Sequence, residues 1–171
     1  HEGEANIIVS NKTKFPATAT IGYDNLGNEF TGIRRSNFSG SFDNLLSLND
    51  NINLSYSTNL DDDSGLKDIK SFSSSISIPL KYYTLSYDYS RSAYRGTNNG
   101  ENSVAKLTGY SDRNNVTLDR VLLSDGNLRV SASSSITAKK SASYLNDSKL
   151  ENSERRLTIG NVGLTVSNYF K

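Results

Sequence analysis

The sequence predicts an all-β protein, an antiparallel meander of about eight strands. Three observations predict it. Apolar and polar residues alternate through most of the 171-residue chain, the period of a strand with one greasy and one wet face. No window of comparable length carries the 3.6-residue period of a helix. Clusters of Asn, Asp, Gly and Ser separate the alternating runs, and these residues favour turns through local hydrogen bonds and tolerance of positive φ.

The first strand is expected near 16–24, where Ala17, Ala19, Ile21 and Tyr23 share a face. After "DNLGN" a second is expected near 30–43, ending at "NLLSL". The third, 51–58, sets Ile52, Leu54 and Tyr56 against Asn51, Asn53, Ser55 and Ser57. In the fourth, 69–79, Phe72, Ile76 and Ile78 oppose Ser71, Ser73, Ser75 and Ser77. The fifth, 82–93, alternates Tyr83, Leu85, Tyr87 and Tyr89 with Thr84, Ser86, Asp88 and Ser90. A sixth spans 104–123, although "GYSDRNNVT" within it could be a turn that splits it. The seventh, 127–142, opposes Leu128, Val130, Ala132, Ile136 and Ala138 to Arg129, Ser131, Ser133, Ser135 and Thr137. The last, 153–170, slips phase from Leu157 and Ile159 to Val162, Leu164 and Val166, which predicts a bulge near Gly160.

What the greasy face touches decides the class. No stretch approaches the ~20 apolar residues of a transmembrane helix. Mean hydropathy is −0.55, yet alternating barrel strands leave only a weak average signal. With a continuous sixth strand, the connections from the third onward alternate long, short, long, short, long, the asymmetry of outer-membrane barrels. A soluble or surface-exposed β-sandwich, such as an adhesin-type binding module, is the competing reading, but its Greek-key crossings spoil so regular a meander. The wet face is Ser, Thr and Asn almost throughout, which suits a confined aqueous lumen. The fold class is therefore all-β, part of a transmembrane outer-membrane β-barrel. Lumen-lining positions are then Asn53, Ser55, Ser57, Ser73, Ser75, Thr84, Ser86, Asp88, Arg129, Ser131 and Ser133. Tyr82 and Tyr83 at one end of the fifth strand, and Tyr89 and Tyr94 near the other, fit interfacial aromatic girdles. Arg34, Arg35, Arg155 and Arg156 are expected to face the lumen or sit near an end.

Several chemistries are disfavoured. A net charge of +1 gives no steering of nucleic acid. The absence of cysteine removes disulfides, thiolate metal sites and thiol nucleophiles. His1, the one histidine, stands at a terminus and makes a poor base. "SGLK" at 64–67 matches Ser-x-x-Lys but has no companion motifs. "DDDSG" at 61–65 lacks calcium-loop spacing, and "TIGNVG" lacks the flanks of a phosphate loop. No catalytic residue, cofactor or metal is implied.

"DNLGNEFTGIRRSNFSGSFDNLLSLNDNINLSYS", residues 24–57, resembles the first barrel hairpin of two-partner secretion transporters. These are the hemolysin secretion/activation proteins of the outer membrane, related to barrel-assembly proteins. Asp24, Asn25, Gly27, Thr31, Gly32, Asn44, Leu46, Leu48 and Asp50 stand in the family's order, with Ser47 in place of a turn Gly. "SISIPLKYYTLSYDYSRSAY", "TGYSDRNNVTLDRVLL" and "SASYLNDSKLENSERRLTIGNVGL" are similar to later family strands. Ser124 and Asn127 stand where the family has basic residues.

The resemblance implies that residues 1–12 end the second of two periplasmic POTRA domains. Residues 13–171 would then be the first half of a barrel of about sixteen strands. It further implies a non-enzymatic, monomeric pore in the bacterial outer membrane that passes an unfolded exoprotein, such as a hemolysin or adhesin. Loops at 59–68, 94–103 and 144–152 would face outside, and turns at 44–49, 79–81 and 124–126 the periplasm.

Overall fold

The computed structural model describes residues 16–60, 67–99 and 104–168. Eight long strands run antiparallel in chain order: β1 (Ala17–Asp24), β2 (Arg35–Asp43), β3 (Asn51–Asn59), β4 (Asp68–Leu80), β5 (Tyr83–Asn99), β6 (Val104–Ser124), β7 (Leu128–Leu145) and β9 (Arg155–Asn168). Between β7 and β9, the two-residue β8 (Ser148–Lys149) folds back on β7 as a small hairpin. Each long strand pairs with its sequence neighbour, so the sheet is a pure meander. Among the described residues β1 and β9 each have one unpaired edge.

Register makes the two faces continuous. One row passes Phe42, Ile52, Ile76, Tyr87, Val116 and Ile136. The row beside it passes Ser41, Asn53, Ser75, Asp88, Asn115 and Thr137. Only Ala142 is a buried apolar residue among the described ones, while Ile21, Ile136 and Val162 are 77%, 63% and 89% exposed. A soluble sandwich of this size packs a two-layer core. This sheet is a single layer whose apolar side covers nothing of its own.

The apolar band also slides along the strands. It spans Ala17–Tyr23 on β1 and Val162–Val166 on β9, about six to eight residues past the straight partner row. Over seven strand steps, at ~3.3 Å per residue and ~4.8 Å between strands, that slide is a tilt of roughly 30–40°. A barrel wall has this stagger, because a horizontal membrane cuts tilted strands at successive heights.

Several expectations needed correction. The second strand begins at Arg35 rather than 30. Residues 27–33 instead close a tight loop, in which Asn28 Oδ1 accepts from the Thr31 amide and hydroxyl, and Gly32 takes φ +107°. The fifth strand continues through 94–99, expected as loop, because its pairing with β6 persists to Asn99↔Val104. The sixth strand is unbroken, and "SDRNNVT" lies within it. The bulge lies there, between Val121 and Leu123, and not near Gly160. β9 keeps one register with β7 from Leu128↔Asn168 to Ser141↔Arg155, so Leu157 and Ile159 fall on the polar face. Main-chain pairing with β7 outweighs the placement of two aliphatic side chains. Tyr94 has the wrong parity for a girdle and bonds Ser143 from the polar face. Arg156 sits at the loop end of β9, as expected, with its parity on the apolar side. Residues 1–12, His1 and the "DDDSG" segment lie outside the described residues.

Candidate functional site

All eleven expected lumen positions share the polar face. Asn53, Ser55 and Ser57 on β3 pair with Ser75, Ser73 and Ser71 on β4. Ser75, Ser77 and Pro79 then pair with Asp88, Ser86 and Thr84 on β5. Arg129, Ser131 and Ser133 follow on β7. Alternation alone builds this surface, since a strand cannot place Leu54 outward without placing Ser55 inward.

The face is a hydrogen-bonded ladder of short side chains. Ser55 and Ser73 hydroxyls lie 2.7 Å apart, and Ser86 donates to Ser77 at 3.2 Å. Further along, Asn115 Nδ2 donates to Asp88 at 3.0 Å, and Thr137 donates to Asn115 Oδ1 at 2.7 Å. Three strands are thereby tied by one polar row. At the loop end, Arg35 Nε and Asn37 Nδ2 donate to the two oxygens of Asp24, at 2.9 and 2.7 Å. One charged pair on this face, Arg35 with Asp24, is closed at the loop end, while Arg113, Arg129, Lys139 and Arg155 also lie on it by register.

The polar side carries a broad depression. A depression of about 580 Å³ spans β1 to β6, with Thr18, Ser39, Asn53, Ser55, Asp88 and Arg113 in its lining. It gathers Asn53, Ser55, Ser73, Ser75 and Asp88 of the expected residues. Thr84 and Ser86 lie nearer the turns, and Arg129, Ser131 and Ser133 beyond it on β7. Sequence reasoning missed Thr18, Thr20, Ser39, Ser41 and Arg113. The same alternation marks the first four. Arg113 was hidden because "DRNNVT" reads as a turn.

Two turns fix the ends. Asp50, 2% exposed, accepts the amides of Leu45, Leu46 and Leu48 in the β2–β3 turn. That lets Asn44, Ser47 and Asn49 hold positive φ, a conformation that Asn tolerates better than most residues. At the opposite end Phe30 packs on Gly96, where an added Cβ would fall 2.3 Å from the ring. Among the described residues no His/Asp/Glu cluster could hold a metal ion.

Comparison with known proteins agrees with this geometry. The profile of the haemolysin secretion/activation protein family ShlB/FhaC/HecB matches residues 3–171. The chain is 30% identical over 169 residues to the outer membrane transporter CdiB of Escherichia coli O6:K15:H31 (strain 536 / UPEC), covering 99% of this chain and 29% of that protein. It is 28% identical to CdiB of Dickeya dadantii (strain 3937), over 96% of the chain and 29% of the relative. The solved CdiB from Escherichia coli superposes with a TM-score of 0.85 at 30% identity, over 94% of this chain and 30% of that one. CdiB from Acinetobacter baumannii gives 0.76 at 26% identity, over 93% and 30%. The chain thus spans less than a third of the length of these relatives. With its staggered apolar band, single-layer meander and full-length family match, the chain belongs to the haemolysin secretion/activation family ShlB/FhaC/HecB, the outer-membrane β-barrel transporters of two-partner secretion.

Proposed function

We propose that these strands form part of the wall of a non-enzymatic pore, through which an unfolded exoprotein crosses the outer membrane. The carrying observation is the division of one sheet into an exposed apolar face and a continuous Ser/Thr/Asn face. The apolar face meets lipid, and the polar face lines the path. Hydroxyls and amides solvate a moving backbone without the apolar pockets that would hold it. In this orientation the strand ends at Asp24, Arg35, Asn59, Asp68, Leu145 and Arg155 face the exterior, and the short turns face the periplasm. Residues 1–12 belong to the end of a POTRA domain, which receives the cargo by strand addition. A sandwich-type binding module has no support here, since the sheet lacks a second layer.

The test is site-specific cross-linking to cargo stalled in the full-length transporter. A photoreactive group on Ser55→Cys or Ser133→Cys should capture exoprotein, and one on Leu54→Cys or Ala132→Cys should capture lipid. Cargo adducts from Leu54→Cys with none from Ser55→Cys would reverse the assignment of the faces.

A further inference from the structure

Charge on the apolar face is distributed unequally between its two borders. Toward the turn-side end of that face the only strand cation, among the described residues, is Arg120, lying 5.1 Å over the Tyr83 ring. Beyond the loop-side border six cations share it by register: Lys70, Arg91, Arg95, Lys106, Lys140 and Arg156. Among the described residues they outnumber the carboxylates there, Asp68 and Asp112 on the strands, even with Asp147, Glu151 and Glu154 of the β7–β9 loop included.

Three of these cations surround one hollow. Arg91, Asp112, Lys140 and Arg156 form a single cross-strand row over β5, β6, β7 and β9. The hollow there measures about 490 Å³, with Tyr89 and Ala138 on its band side. Arg91 and Arg156 stand three strand steps apart, roughly 14 Å, a span that a bis-phosphorylated disaccharide can bridge. Their side chains are 58% and 72% exposed, so they project away from the sheet. Asp112 lies 3.6 Å from Arg91 Nε and sets the direction of that guanidinium. Glu154 takes Nε and Nη2 of Arg156 and leaves Nη1 outside the pairing. Lys140 lies 5.8 Å over Tyr110.

We propose that this row is a binding site for the phosphates of an outer-leaflet glycolipid of the lipid A class. Its acyl chains run down over Tyr89, Ala138 and the apolar band below. The inference rests on the outer-membrane orientation given above. Cations beside an apolar surface at headgroup height attract anionic lipid, and the side that carries them here is the side of the long loops. The inner leaflet, where phospholipid is the rule, meets the cation-poor border.

The experiment is native mass spectrometry of the full-length transporter with diphosphoryl lipid A, its dephosphorylated form, or phosphatidylcholine. The wild type should retain diphosphoryl lipid A over both other lipids, and R91Q/K140Q/R156Q should lose that retention by about a hundredfold. The control R113Q/R129Q/R155Q removes three positive charges from the polar face of β6, β7 and β9, none of them lining the hollow, and should retain lipid A as the wild type does. Heat-modifiable migration verifies that both variants fold. Retention unchanged in the triple variant, equal loss in the control, equal retention of dephosphorylated lipid A, or displacement by millimolar inorganic phosphate each overturns the site. Exoprotein export is measured in parallel. Failure of export in the wild type would count against the pore, whereas intact export with unselective lipid retention would count against the site alone.

Discussion

At the scale of the residue, parity decides which environment a side chain meets, and single substitutions read it out. Leu54 and Leu85 lie within the apolar band, while Ser55 and Ser86 are their neighbours on the other face. Leu54→Arg or Leu85→Arg in the full-length barrel should cost ~2–4 kcal/mol, the penalty for a lipid-facing cation near the midplane. Ser55→Arg or Ser86→Arg should fold and change conductance instead. Denaturant titration in vesicles with planar-bilayer recording separates the two outcomes. Equal folding losses on both faces would point to a packed soluble core. Asp50 supplies a second case, since its carboxylate takes three backbone amides that have no sheet partner. Asp50→Ala strands those donors and should destabilise the turn by about 2–4 kcal/mol, seen as slower assembly and a lower melting temperature. Asp50→Asn keeps one acceptor oxygen and should recover part of the loss.

At the scale of the element, β5, β6 and β7 are coupled through a close approach. Gly109 on β6 faces Tyr94 on β5, whose hydroxyl reaches Ser143 on β7 at 3.2 Å. A Cβ at Gly109 would fall 2.6 Å from that ring. Gly109→Ala should therefore displace the ring, break the Ser143 contact and cost about 1–3 kcal/mol, while Tyr94→Ala in the same background should relieve most of it. The β7–β9 loop responds to pH. Hydrogen bonds from Lys149 and then Arg156 hold the Glu154 carboxyl below its ordinary range, and the same contact raises Lys149. The loop's stabilisation is thus complete above the ordinary carboxylate range and is lost as pH falls through the lowered Glu154 value. Hydrogen exchange at 146–154 should accelerate on acidification, and Glu154→Gln should abolish that response. This scale also divides what the sequence made legible from what it hid. Inside the membrane zone β3, β4, β5 and β7 alternate cleanly, because each side chain meets either lipid or water, and their faces could be read directly. Beyond it both faces are wet and alternation stops reporting a strand, so Tyr94–Asn99 looked like a loop, whereas "SDRNNVT" looked like a turn because Asn114 interrupts the apolar face beside Asn115. Leu157 and Ile159 misled for the converse reason. Apolar residues imply a lipid face only where register allows one, and β7 had already set the register of β9.

At the scale of the molecule, the described sheet presents an edge at β1 and another at β9. Unpaired amides and carbonyls cost several kcal/mol each in hydrocarbon, so only a closed sheet is stable there. Closing these eight long strands on themselves would make a small barrel whose interior side chains must fill. The depression on the polar face is lined instead mainly by Thr, Ser and Asn, too small to fill it. Closure with further strands is the economical solution, and the known relatives are more than three times as long as this chain. Expressed alone, residues 1–171 should therefore aggregate or associate through the β1 and β9 edges, because open edges template further pairing. Reconstituted with a cognate exoprotein in vesicles, they should show neither export nor a stable conductance. The full-length transporter under the same conditions provides the positive control. Efficient export by the 171-residue chain would mean that these strands close by themselves into a working pore, and would overturn the reading of the sheet as one part of a larger wall.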